Sequence, residues 1–140
     1  MRGSYVPNKS FHGTIAYVTG DTESFTSTYD ADSESTPNLT LVAGTYAGFR
    51  ADNHTVTVIV DSGGTLSGHA SDGCTVAGTL SPRAKGNVFH TSVTLEGGTC
   101  NTGTERLTGV AFYDATTNRL YSAALNSART SSFLFLGTKQ

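Results

Sequence analysis

The sequence predicts an all-β chain, an antiparallel up-and-down meander closing into a β-barrel of roughly 8–10 strands with one short helix near 37–43. A β-sandwich is the alternative closure. Three observations carry the prediction. Apolar and polar residues alternate with a period of two along most of the chain, as in Val56, Val58 and Val60 against Thr55 and Thr57. Short Gly, Asn, Asp and Ser clusters punctuate the alternation. The links between strand candidates are too short for the helical crossovers of a parallel sheet.

In order, Phe11–Val18 and Ser24–Asp30 form the first expected pair, with Thr19–Thr22 as their turn. An acidic, Ser-rich stretch follows at Asp30–Ser35. Thr36 then fits an N-cap, Pro37 a first helical position, and Gly44 the residue after the helix end. From there the meander continues through Thr45–Arg50, Thr55–Asp61, Thr65–Ala70, Cys74–Leu80, Val88–Leu95, Leu107–Tyr113, Arg119–Leu125 and Phe133–Leu136. Gly44-Thr-Tyr-Ala-Gly48 and Gly64-Thr-Leu-Ser-Gly68 are nearly the same word. No helix follows either, so both read as curvature devices rather than phosphate loops. The opening Met-Arg-Gly-Ser reads as an expression-tag remnant over 1–4, which leaves one barrel-like domain over 5–140.

Two cysteines are present, Cys74 and Cys100, with no His at zinc-ligand spacing from either. They read as a structural disulfide made in an oxidising compartment, or as two separate thiols. The strand, loop and strand between them favour the disulfide.

A net charge of −2 with scattered basic residues, Arg83 and Lys85 being the closest grouping, offers nucleic acid and anionic lipid no basic surface. No stretch approaches the ~18 apolar residues of a membrane helix. His12, His54, His69 and His90 fall on different segments and read as surface imidazoles, so no metal or cofactor is expected. His69, Asp72 and Cys74 hold the parts of a nucleophilic site, but they sit in one tight turn and Cys74 reads as the disulfide partner of Cys100. No catalytic residue is therefore assigned, and the chain reads as a non-enzyme. Asp30, Asp32 and Glu34 begin like a calcium loop, yet Ser35 and Leu41 stand where Gly and Glu are needed. Weak calcium binding there stays open. Most of the Tyr and Phe residues are expected in the core. Phe133-Leu134-Phe135-Leu136, apolar on both faces, is either covered on both sides or an exposed binding surface.

Gly44–Gly48, Ser67-Gly68, Gly73–Arg83, Leu107–Asp114 and the closing Ser132–Thr138 resemble a group of uncharacterised β-rich lipoproteins and exported proteins of Gram-negative bacteria. The resemblance covers about residues 24–138. It implies export to the periplasm, outer membrane or cell surface, with a lipid anchor in the native precursor, and cysteines placed as Cys74 and Cys100 are. It brings no catalytic residues. The Gly-rich strands also resemble the barrel lobes of surface lipoproteins that bind host proteins. The expected function is an envelope or surface binding module or antigen. Its partner is an unknown protein or a small apolar ligand, with no ligand-binding residues assigned. The alternatives are a carrier of small apolar ligands inside the barrel and an unrecognised hydrolase.

Overall fold

The computed structural model describes residues 2–97, 100 and 105–140. These residues are organised in two compact units, 1–33 and 34–140.

The second unit is a closed antiparallel barrel of eight strands: β4 (Gly44–Arg50), β5 (Thr55–Val60), β6 (Thr65–Ala70), β7 (Thr75–Pro82), β8 (Phe89–Glu96), β9 (Arg106–Asp114), β10 (Arg119–Leu125) and β11 (Ser132–Lys139). Each strand pairs with the next, and β11 closes on β4 from Phe135↔Arg50 to Lys139↔Tyr46. The expected barrel is therefore the observed one, and the sandwich is not formed.

Alternation decides what fills it. Val56, Val58 and Val60 of β5, and Phe89, Thr91, Val93 and Leu95 of β8, all point inward and are buried. Tyr46, Phe89, Phe133, Leu66, Leu107 and Leu120 are the largest fully buried side chains. Burying a side chain of this class is worth about 1.5–3 kcal/mol. Room for them in a small barrel comes from inward glycines that let strands coil tightly. A Cβ at Gly48 would meet the Leu136 carbonyl oxygen at 2.0 Å, and one at Gly68 the Thr57 oxygen at 2.4 Å. The strand glycines of the two repeated words thus act as curvature devices. Gly64 instead lies in the β5–β6 turn with φ +86°. There Asp61 Oδ1 accepts from the N–H groups of Gly63 and Thr65, both at 2.8 Å.

The helix is shorter than expected. α1 spans Leu39–Val42, and its N-cap is Asn38, whose side chain accepts from the N–H groups of Thr40 and Leu41. Thr36 and Pro37 precede the cap. Asn38 is extended, as the residue at an N-cap must be, and its short amide reaches both N–H groups. Val42 is buried, and its carbonyl accepts the Tyr46 hydroxyl.

The cysteines form a disulfide, with Cα atoms 5.3 Å apart and a sequence separation of 26. It joins the start of β7 to the segment after β8. Of residues 97–103 around Cys100, only 97 and 100 are among the described residues.

The first unit is a separate three-stranded antiparallel sheet, β1 (Arg2–Val6), β2 (Ser10–Ala16) and β3 (Thr22–Thr28). The expected first pair exists as the β2–β3 hairpin, but it is not part of the barrel. Eight strands already close, so the barrel leaves no edge for β3 to join. Arg2, Gly3 and Ser4, read as a tag, pair with Thr14, Gly13 and His12.

Candidate functional site

The outer wall of the barrel is two-sided in character. On β5–β8 the outward residues are mainly polar, among them Thr55, Thr57, Ser67, His69, Thr75, Thr79, Ser81, His90 and Glu96. On β9, β10, β11 and β4 the outward residues midway along the strands are apolar, flanked at the strand ends by Arg106, Asp114, Arg119, Ser132 and Thr138. The pairing register sets them in rows: Phe112, Tyr121, Leu136 and Phe49 lie side by side across four strands. Val110, Ala123 and Leu134 form the next row. Phe49 is 59% exposed and Leu134 45% exposed. The Phe112 and Tyr121 rings lie 6.1 Å apart. Ala123, short between long neighbours, leaves a depression, and a groove of about 520 Å³ runs over it. Arg50, Ala51, Asn53 and Val88 line the same groove.

The Phe133–Leu136 ambiguity is settled by this arrangement. Phe133 and Phe135 are buried inside the barrel, while Leu134 and Leu136 stand on the exposed outer wall. The expectation that most aromatics are core needs correction. Tyr46, Phe89, Tyr113, Phe133 and Phe135 are, but Phe49 and Tyr121 are exposed outside. Tyr17 and Tyr29 fall beyond the strand ends and are exposed.

Beside the groove an ion cluster closes the barrel end. Arg50 ends β4 pointing inward, only 9% exposed. Its Nε donates to Asp52 Oδ1 at 2.8 Å and to Oδ2 at 2.9 Å, and Nη2 donates to Asp72 Oδ2 at 2.6 Å. His54 Nδ1 lies 3.2 Å from Asp52 Oδ1 and 3.9 Å from Asp72 Oδ2. Hydrogen bonds from Arg50 hold both carboxyls below the usual carboxylate range. The hydrogen bonds that Arg50 donates to Asp52, outweighing desolvation, raise Arg50 above its ordinary value. Among the described residues Asp52, His54 and Asp72 are the group with metal-ligand spacing. The Arg50 guanidinium already stands between the two carboxylates as their shared counter-cation, so the cluster is an ionic brace for the β4–β5 and β6–β7 turns.

The sequence-weighed nucleophilic set is not assembled. Cys74 is in the disulfide, Asp72 engages Arg50, and His69 is on the outward, exposed face of β6. His90 is likewise exposed, and His12 lies 2.7 Å from Ser4 Oγ. Asp30 Oδ1 accepts from the Asp32 N–H at 3.0 Å, starting a single 3-10 turn over Ala31–Glu34. Sequence reasoning missed Arg50 and, beyond the Phe133–Leu136 stretch, the four-strand extent of the apolar wall. The signal for the wall was present: β10 and β11 carry apolar residues at both parities.

Comparison with protein-family models, curated proteins and solved structures finds no match to this chain.

Proposed function

We propose that this chain is a non-enzymatic binding module of an exported envelope or surface protein, and that it holds a partner protein on the outer wall of β9, β10, β11 and β4. The observation that carries the reading is the asymmetry of that wall. Phe49, Val110, Tyr121, Leu134 and Leu136 are contiguous and exposed, whereas the β5–β8 side is mainly polar. A contiguous exposed apolar patch on a small domain marks an interaction surface, and aromatic anchors at its centre suit a protein partner. A lipid-embedded barrel would be apolar all round outside and polar within; this one is apolar within and on one outer side only. The Cys74–Cys100 disulfide supports an oxidising compartment. A small apolar ligand inside the barrel competes with Tyr46, Phe89 and Phe133, which occupy the interior. No helix among the described residues is long and apolar enough to cross a membrane.

The test is affinity capture from the envelope fraction of the source cell, with the native chain and with Leu134→Lys, Leu136→Lys. A partner retained by the native chain and lost by the variant supports the reading. Equal capture by both, or by neither, refutes it.

A further inference from the structure

The three-stranded sheet has a free edge that is complementary to itself. We propose that two copies of this chain join through β3, antiparallel about a two-fold axis at Phe25, to make one continuous six-stranded sheet.

No described residue of 2–33 is buried, and a three-stranded sheet needs a covered apolar face to be stable in water. β3 pairs with β2 on one side only and is an outer strand of its sheet. Its seven residues, about 23 Å of strand at ~3.4 Å each, carry no Lys and no Pro, the usual guards of an edge.

Which backbone groups face outward follows from the hairpin. The Tyr17 N–H donates to the Asp21 carbonyl, and the Tyr29 N–H donates to the Lys9 carbonyl. In an antiparallel pair hydrogen-bonded and non-hydrogen-bonded positions alternate. Glu23, Phe25 and Ser27 therefore bond to β2, while Thr22, Ser24, Thr26 and Thr28 turn their N–H and C=O groups away from it. All four of those residues are exposed.

One two-fold register uses every one of these groups: Thr22 opposite the second copy's Thr28, and Ser24 opposite its Thr26. Phe25 then faces its own copy at a non-hydrogen-bonded position, where side chains approach most closely. Glu23 faces Ser27, so no like charges oppose each other. Glu23 is also occupied locally, accepting the Tyr17 hydroxyl at 2.8 Å. Phe25 already packs on Phe11 of its own sheet, with ring centroids 5.1 Å apart. Pairing at Phe25 would fuse the two aromatic clusters. Shifting the register by two residues leaves outward groups at one end unpaired and sets Glu23 or Ser27 against Phe25.

The full chain is tested by light scattering after size exclusion over a concentration series. The native chain is expected to reach twice the monomer mass as concentration rises. Ser24→Lys with Thr26→Lys sets lysine against lysine across the axis and is expected to stay monomeric. Ser24→Glu with Thr26→Lys sets glutamate against lysine and is expected to restore the dimer. Both positions lie on the exposed face opposite Phe25, and circular dichroism checks that the variants fold. In a separate variant, Phe25→Cys is expected to cross-link two copies without oxidant additives beyond air. The Cα separation of a non-hydrogen-bonded pair, about 4.5 Å, lies within disulfide reach. A native chain that stays monomeric throughout, an open-ended polymer, a dimer indifferent to the lysine pair, or no Phe25→Cys cross-link would each overturn the proposal.

Discussion

Truncating neighbours on β11 separates the two faces of the barrel wall. Phe133 is 1% exposed and stacks at 6.2 Å on Phe135 inside the barrel. Phe133→Ala removes a fully packed ring, and such changes cost about 3–5 kcal/mol. Leu134, the next residue, faces outward at 45% exposed. Leu134→Ala removes three carbons that are already half in water, at ~0.8 kcal/mol per fully buried carbon, so about 1 kcal/mol is lost and no cavity forms. With a urea slope of ~2 kcal/mol/M, the midpoint falls by roughly 2 M for Phe133→Ala and by about 0.5 M for Leu134→Ala. The chain has six Tyr and no Trp, so tyrosine fluorescence with far-ultraviolet circular dichroism follows the transition. If Leu134→Ala costs as much as Phe133→Ala, the outer wall is covered within the chain, and the reasoning that makes it a binding surface fails.

Reducing the Cys74–Cys100 disulfide, or replacing both cysteines by Ala, is expected to lower stability by about 3.5 kcal/mol, the chain-entropy value for a loop of this length; an unchanged thermal midpoint would contradict it. The carboxyls of Asp52 and Asp72 titrate below their unfolded values because Arg50 bonds to both. Their contribution is therefore complete above about pH 4 and is lost as pH falls further toward the folded values. Urea midpoints at pH 6, 4 and 3 should show that decline, and Arg50→Gln should shrink it; parallel pH profiles for the two chains would count against the brace. Gly109→Val places a Cβ only 2.0 Å from the Ala123 carbonyl oxygen. It should destabilise by at least about 1–3 kcal/mol, and a variant as stable as the native chain would contradict the tight coiling of β9 on β10.

Much of the barrel was legible because one rule, period-two alternation, governs every strand from Gly44 onward. Val56, Val58 and Val60 announce an inner face directly. The turn at Ser62–Gly64 was legible from its glycine pair, but Asp61, read as the end of a strand, caps that turn with its side chain. The helix cap was misplaced because Thr36 and Asn38 are both good caps, and only the backbone conformation chooses between them. The separation of the first sheet could not be read, since nothing local in β2 or β3 reports how many strands a barrel needs to close. The apolar outer wall needed the register. Phe49, Leu136, Tyr121 and Phe112 are far apart in sequence and become one row only through the pairings of β4, β11, β10 and β9. Arg50 and Asp72 meet for the same reason: their turns lie at the same end of the barrel.

The claim that the β9–β10–β11–β4 wall is where a partner protein binds is tested most directly by site-specific photo-cross-linking in the source cell. A photoreactive side chain replaces Leu134 on that wall, or Ser92 on the polar side of the barrel. A discrete protein adduct is expected from position 134 and none from position 92. Adducts of equal yield from both positions, or none from position 134, would contradict it.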